Sequence, residues 1–336
     1  VLLSRILEGG QRVAAVARRE EIAHMLRTRG PVLRDEKGER TVRGDLEVFV
    51  QPPREGVYDF ILLATPPNGV EAAARDTAHL LAPHGAMVVL QNGLCEELVA
   101  RIVGEPRVIG AIVAWGASSP ETGVYERTSS GGIVLGVLSG EPDPRLPQLA
   151  QVLRAVCPVT FTGNLRGARW SKLAINCAIS TLGTVGGSRV GPLLRHAFVR
   201  RLAMEVFTEV FQVARAEGVK LEKVASTVDL AWLTLSESEQ RAHASPSLLI
   251  KHAMLLAIGA RYRRLRSSML AAIERGREPP VDFLNGEVVQ RGRIHGLQVP
   301  VNERLLEAVH AMSRRELTPG VETLRHLHAQ TRPQRH

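Results

Sequence analysis

A chain of 336 residues, 44% hydrophobic and 23% charged, has ordinary globular composition and length for two cores rather than one. Its formal charge is +9 and its pI about 10.1, yet the lysines are confined to Lys37, Lys172, Lys220, Lys223 and Lys251 and the other basic residues are scattered arginines without aromatic platforms. That pattern argues against a nucleic-acid surface and suits a phosphate-bearing cofactor or a carboxylate substrate. The cysteines Cys95, Cys157 and Cys177, with no CxxC or Cys/His cluster, read as free thiols of a cytoplasmic protein with no metal site. No apolar run reaches the roughly 18 to 20 residues of a membrane span, and no charged-then-apolar leader is present.

The chain opens at Val1, not Met, inside a helix running to Glu8 and stopped by Gly9-Gly10. Arg12 to Ala17 is a short β-branched strand with Arg18 at its end. Helix, tight turn, strand and polar end residue form the second half of a βαβ nucleotide-binding unit. Its first strand and glycine-rich turn are expected upstream and are missing from the sequence. An acidic residue at that strand end suits the ribose hydroxyls of NAD, whereas Arg accommodates the 2′-phosphate of NADP. Arg18 therefore points to NADPH, against the plainer reading of a solvated Arg.

A helix follows near Glu21 to Arg29, then short strand-like pieces around a turn at Glu36 to Glu39. Tyr58 to Thr65 reads as a buried parallel strand ending in Pro66-Pro67, Val70 to Leu81 has helical period, and Ala86 to Gln91 is the next strand. It runs into Asn92-Gly93-Leu94. Ligands sit at the carboxyl ends of such strands, so Asn92 is either a ligand contact or a turn residue. Further strands are expected at Arg107 to Trp115, Val124 to Arg127, Gly132 to Val137 and Val159 to Thr162, with a helix near Leu149. Strand signals then stop, which places a domain boundary near residue 165, a helical domain over 166–318 and a polar tail over 319–336.

The helical half opens with Arg169 to Ser180, an apolar run carrying Lys172 and Asn176. On a helix these two share a face. An ammonium among apolar residues is costly unless something anionic or polar meets it, so Lys172 is a candidate substrate contact, the plainer reading being a snorkelling lysine. Helical period returns over Val199 to Glu217, and a long stretch rich in Leu, Ala and Arg spans Val224 to Arg266. His295 reads as a turn residue before the final helix.

Taken in order, Gly10-Gln-Arg-Val13 with Arg18, Gln91-Asn92-Gly93-Leu94, Trp170-Ser-Lys172-Leu-Ala-Ile-Asn176, Ser267-Ser268-Met269-Leu270, Asp282-Phe-Leu-Asn285-Gly286 and His295-Gly-Leu-Gln-Val-Pro300-Val-Asn302 resemble the ketopantoate (2-dehydropantoate) 2-reductases over nearly the whole chain. The resemblance implies an N-terminal α/β Rossmann domain over 1–165 and an all-α domain of the 6-phosphogluconate dehydrogenase C-terminal type. It implies NADPH-dependent reduction of a 2-oxo acid to a 2-hydroxy acid in pantothenate biosynthesis. On the family pattern Lys172 is the proton donor, Asn176 and Ser268 hold substrate, Asn92 sits between nicotinamide and substrate, and Gly116 is a main-chain cofactor contact. The expected partner is a small-molecule 2-oxo acid, not nucleic acid or membrane, with a homodimer as a possible assembly.

The departures are as informative. Ser180 stands where the family has a substrate-binding Asn one turn beyond Asn176, Pro280 where it has a Glu, and Leu265 and Val190 where it has polar residues; a family Lys is replaced near Pro66-Pro67. Reaction machinery is kept while substrate readers change. Besides 2-dehydropantoate reduction, two alternatives stay open: reduction of a more apolar 2-oxo acid, and a non-catalytic NADPH-binding regulator.

Overall fold

In the computed structural model, residues 1–222, 230–242 and 245–331 are described. They group into two compact units, one of residues 1–91 and 95–165, the other of residues 92–94 and those from 166 onward. The first unit runs α1 (Leu2–Glu8), β1 (Val13–Val16), α2 (Glu20–Thr28), β2 (Val32–Asp35), β3 (Gly38–Thr41), β4 (Leu46–Phe49), β5 (Tyr58–Leu63), α3 (Val70–Thr77), β6 (Leu81–Val89), α4 (Cys95–Val103), β7 (Val108–Val113), β8 (Ala117–Ser118), β9 (Val124–Arg127), β10 (Ile133–Val137), α5 (Arg145–Leu153) and β11 (Val159–Phe161). Its largest sheet has the order β11-β10-β7-β6-β5. Within it β5, β6 and β7 are parallel, and β10 is antiparallel to β7.

Continuous apolar runs make these strands because both faces are covered: Ala86, Val88, Ile109, Ala111, Ile133 and Leu135 are at most 1% exposed and share one core with Leu149, Ala150 and Leu153 of α5. Gly85 permits the close approach of β6 to β5, since a Cβ there would lie 2.9 Å from the carbonyl oxygens of Tyr58 and Asp59. The remaining strands form two smaller sheets, β1-β4, paired in parallel, and β3-β2-β9-β8. This is a Rossmann-like mixed sheet with helices, as the strand pattern leads one to expect.

The second unit is helical: α6 (Leu165–Ile175), a π-helical turn (Asn176–Ser180), α7 (Thr181–Val185), α8 (Val190–Leu194), α9 (Ala197–Ala216), α10 (Glu237–Arg241), α11 (Pro246–Arg261), α12 (Ser268–Glu274), a second π-helical turn (Asp282–Gly286), α13 (Glu287–Ile294), α14 (Pro300–Ser313) and α15 (Val321–Thr331). α9 is the central rod. Its Val199, Leu202, Val206, Phe207, Val210 and Val213 are all buried, and α7, α13, α14 and α15 contribute Leu182, Val288, Leu305 and Leu324 to the same cluster. Of the stretch from Val224 to Arg266, residues 224–229 and 243–244 lie outside the described residues.

Two expectations are corrected here. Residues 319–331 are not a polar tail, because α15 buries Leu324 and Leu327 against the bundle, three residues apart on one helical face; residues 332–336 lie outside the described residues. Val190, expected to line a ligand pocket, is 4% exposed and belongs to the helical core. No helix among the described residues is long and apolar enough to cross a membrane, and no cluster of three or more His, Cys, Asp or Glu there could hold a metal.

Candidate active site

In the helical unit α6 carries Lys172. Its neighbours fix the helix firmly: Trp170 is 2% exposed with the Arg291 guanidinium 5.8 Å from its ring centroid, Leu173 and Ala174 are buried, and the Ser171 hydroxyl donates to the Glu222 carbonyl at 2.5 Å. Lys172 is half-buried on this clamped helix. One residue past the end of α6 the backbone widens into the π-turn of Asn176 to Ser180. A π-turn inserts a residue into the helical ladder and re-aims the side chains it carries, a geometry frequent at functional sites. Here it holds Asn176 and Ser180.

The Asn176 amide is the most informative group in this turn. Its Nδ2 is buried and has no hydrogen-bond partner among the described residues. Leaving an amide nitrogen so placed costs about 1–3 kcal/mol, which a polar ligand atom would recover. Cys177 beside it is no nucleophile, since complete burial pushes its thiol well above the usual range.

The turn is held from below by a buried polar chain. Thr181 Oγ1 donates to Asn285 Oδ1 at 2.6 Å, Asn285 Nδ2 donates to the Cys177 carbonyl at 3.4 Å and to Asn302 Oδ1 at 2.9 Å, and Asn302 Nδ2 donates to Glu209 Oε2 at 2.7 Å. Glu209 also accepts the Val301 and Asn302 N–H groups at 2.9 Å, satisfying the first turn of α14. Burial, against which these hydrogen bonds pull, raises its carboxyl to about 7. Asn285 and Asn302 stand in motifs that the sequence singles out, but their pairing is a long-range contact that spacing does not reveal.

Ser268 comes next to this turn through its neighbour. Ser267 is the buried N-cap of α12, its Oγ accepting the Met269 and Leu270 N–H groups, and it shares a 2.8 Å hydrogen bond with Thr184 Oγ1, which itself donates to the Ser180 carbonyl. Capping work falls to Ser267. Ser268 is left exposed at the first helical position. The Ser-Ser pair ahead of an apolar run carried the cap signal.

Asn92-Gly93-Leu94 follows β6 in the chain and groups with the helical unit. Gly93 has φ +96°, and a Cβ on it would lie 2.5 Å from the Phe283 carbonyl oxygen, so glycine is required there by both conformation and space. Asn92 is thereby an exposed residue on a fixed turn against the second π-helical turn. Lys172, Asn176, Ser180, Ser268 and Asn92 all belong to this one unit.

Arg18 and Gly116 belong to the other. Arg18 lies exposed beyond β1, and its Nη1 is 4.0 Å from where a Cβ on Gly69 would stand, in the loop that follows β5. A guanidinium free to fork onto a phosphate at the carboxyl ends of parallel strands fits the ribose end of a dinucleotide. The Gly116 N–H donates to Ser129 Oγ at 2.8 Å, and Gly116 accepts from the Thr128 N–H, so a cofactor contact there exchanges the serine bond. Pro280 is half-buried and Leu265 is 45% exposed.

The sequence matches the family described as "Ketopantoate reductase PanE/ApbA" over residues 1–140 and its C-terminal part, "Ketopantoate reductase PanE/ApbA C terminal", over 164–313. Relatives include the 2-dehydropantoate 2-reductase of Halobacterium salinarum, 27% identical over 317 residues that cover 93% of this chain and 95% of the relative, and that of Pyrococcus horikoshii, 25% identical over 75% of each. Among solved structures, the PanE/ApbA family ketopantoate reductase from Ralstonia eutropha JMP134 superposes with a TM-score of 0.76 at 25% identity, covering 93% of this chain and 94% of that one. D-mandelate dehydrogenase, solved with NADH and anilino(oxo)acetate, shares the fold with a TM-score of 0.76 at 18% identity over 93% and 94% of the chains. With matched segments spanning most of its length, the chain belongs to the PanE/ApbA ketopantoate reductase family.

Proposed function

We propose that this protein is an NADPH-dependent reductase of 2-oxo acids, with 2-dehydropantoate as the leading substrate. The observation that carries the reading is the buried, unpartnered Asn176 Nδ2 on the re-aimed turn directly after the Lys172 helix. That pairing offers one ammonium and one amide donor to an oxygen-rich anion. Arg18 and Gly116 would hold the nicotinamide cofactor, which would supply the hydride for the 2-carbon of the substrate.

The chain's own residues do the rest. As the carbonyl carbon is reduced, charge grows on its oxygen, and the Lys172 ammonium stabilises that charge and then transfers its proton. Asn176 Nδ2 donates to a substrate oxygen, and Ser180 and Ser268 supply hydroxyls along the same wall. Asn92 orients the reacting ends. Arg18 holds the 2′-phosphate, which favours NADPH over NADH, and Gly116 offers its main chain to the cofactor.

A second reading has its own support. Pro280 has neither a side-chain acceptor nor a backbone donor, and Leu265 is an exposed apolar residue in the same unit, so a substrate hydroxyl finds no partner at either position. A 2-oxo acid with a branched or aromatic tail is then accepted comparably. Steady-state NADPH oxidation against ketopantoate, 2-oxoisovalerate and phenylglyoxylate separates the readings. Turnover of ketopantoate with the highest kcat/KM upholds the first and preference for an apolar acid the second. Absence of turnover with every 2-oxo acid rejects both and leaves a cofactor-binding regulator.

A further inference from the structure

Arginines are spread thinly along most of the chain but gather once, as Arg261-Tyr262-Arg263-Arg264-Leu265-Arg266, at the end of α11 and in the loop after it. All of these residues are exposed. The negative end of the α11 dipole accounts for Arg261, the last residue of the helix, whose guanidinium also lies 5.9 Å from the Tyr262 ring centroid. It does not account for Arg263, Arg264 and Arg266 beyond the helix. Nor does it account for Arg189, exposed just before α8 and brought to the same place by folding. The Val190 N–H donates to the Leu265 carbonyl at 3.0 Å, and a Cβ on Gly191 would lie 2.6 Å from the Arg263 Cα.

The charge gathered here is not balanced from within. Arg266 has an acid in Glu274, at 2.5 Å. Arg189, Arg263 and Arg264 make no side-chain hydrogen bond or ion pair among the described residues. Elsewhere in the helical unit arginines are matched by acids one turn away, as in Arg291 with Glu287, Arg304 with Glu307 and Arg325 with Glu322. Three uncompensated guanidiniums on adjoining segments repel one another, a cost that an anion seated among them removes.

The loop is tied to the substrate wall. Ser267, the next residue, shares its 2.8 Å hydrogen bond with Thr184, which donates to the Ser180 carbonyl of the π-turn, and a Cβ on Gly183 would lie 3.4 Å from the Ser267 Cβ and 3.8 Å from Val190 Cγ2. The order across this wall is therefore Asn176 and Ser180 on the π-turn, then Ser267 and Ser268, then the arginines. Lys172 and Asn176 meet the carbonyl and carboxylate end of a bound acid. Beyond Ser268 lies its other end.

Given reduction of 2-oxo acids as proposed above, we infer that Arg189, Arg263 and Arg264 form an anion subsite for the substrate tail. The protein then prefers 2-oxo acids whose far end carries a second anionic group, carboxylate or phosphate, over acids of equal length with an uncharged end. A guanidinium fork meets either group with two parallel hydrogen bonds and gives up little hydration to do so. Leu265, between Arg264 and Arg266 and 45% exposed, offers apolar contact to the methylenes that lead to that group.

Steady-state kcat/KM on pairs of equal length tests this: 2-oxoglutarate against 2-oxovalerate, 2-oxoadipate against 2-oxohexanoate, and 3-phosphohydroxypyruvate against hydroxypyruvate. The charged-tail member should be favoured at least about tenfold in one or more pairs, the scale of a charge-assisted hydrogen bond, and the pair that shows it identifies carboxylate or phosphate. The double variant Arg263→Ala/Arg264→Ala should lower that ratio at least about tenfold, and Arg264→Glu should reverse it. Should the double variant lose its far-UV circular dichroism, single Arg263→Gln and Arg264→Gln changes at these exposed positions make the same comparison. Arg43→Ala removes the same charge from an exposed site of the other unit and should leave the ratio unmoved, which separates a subsite from long-range attraction. Equal kcat/KM within every pair, a preference that the Arg263 and Arg264 variants leave intact, or one that Arg43→Ala lowers as much would overturn the subsite alone. Absence of turnover with every acid would overturn the reductase reading and the subsite with it.

Discussion

At the scale of single residues, Lys172 and Asn176 divide the work that one charged residue cannot do alone. A half-buried ammonium on a helix clamped by Trp170 and Ser171 keeps its position as charge develops nearby, while the unpartnered Asn176 amide is ready for a substrate oxygen. Lys172→Ala is expected to lower kcat by at least about two orders of magnitude, the usual contribution of a general acid, with NADPH affinity unmoved. Near-normal turnover would return Lys172 to the role of a snorkelling surface lysine. Arg18 is tested by selectivity rather than rate. Arg18→Ala should erode the preference for NADPH over NADH by about 1–3 kcal/mol, the range for losing a charge-assisted hydrogen bond to phosphate; equal losses with both cofactors would make Arg18 structural. Both residues are legible in the sequence for physical reasons: one is a lysine in an apolar run, the other a polar residue at a strand end.

Elements were legible where one periodicity ruled the whole segment. The runs at β5, β7 and β10 and the apolar period of α9 place their elements within a few residues, because burial on both faces, or on a broad stripe, leaves a pattern that no loop imitates. The π-turns were not legible, since inserting one residue into a helical ladder changes the hydrogen bonding without changing which residue types suit a helix. The sequence-level run Arg169 to Ser180 therefore reads as one helix, although its last five residues are π-helical. What stabilises that turn is tertiary, the chain from Thr181 through Asn285 and Asn302 to Glu209. The last link makes stability depend on pH. A carboxyl that is at about 7 when folded, against 4.5 as its ordinary value, binds its proton more tightly in the folded state. Its contribution is then fully present below about 4.5 and is lost as pH rises through about 7, in all ~3 kcal/mol. Urea unfolding measured at steps from pH 4.5 to 8 should show the folded state losing stability across this window relative to Glu209→Gln, in which the titrating group is gone. A wild-type-minus-variant difference that stays flat across the window would mean that Glu209 is held ionised by its three donors, despite its burial.

For the whole molecule, the described residues group into two compact units, one over residues 1–91 and 95–165 and one from residue 166 onward. The exception is Asn92 to Leu94, which follows a strand of the first unit yet groups with the second. Only the three-dimensional packing of Gly93 against Phe283 reveals this, and local pattern cannot. Charge is the other property of the whole. The excess of basic residues, 43 against 34 acidic, leaves +9 on a protein whose proposed cofactor and substrate are both anions. Some of the acids are already engaged, as in Asp35 between Arg5 and Arg40 or Glu217 between Arg291 and His295, while arginines such as Arg18, Arg43 and Arg54 are exposed. A diffuse surplus acts through distance, raising the local concentration of anions without contacting them, and its reach shrinks from about 30 Å at 0.01 M salt to about 8 Å at 0.15 M. The expected consequence is that KM for a 2-oxo acid rises about three- to tenfold between 10 and 300 mM sodium chloride while kcat stays constant. Contacts made at short range inside the site are screened far less, so a KM that does not respond to salt would assign anion binding to Lys172 and Arg18 alone. A fall in kcat with salt would instead show that ions disturb the site itself, which sucrose at matched osmolality should not reproduce.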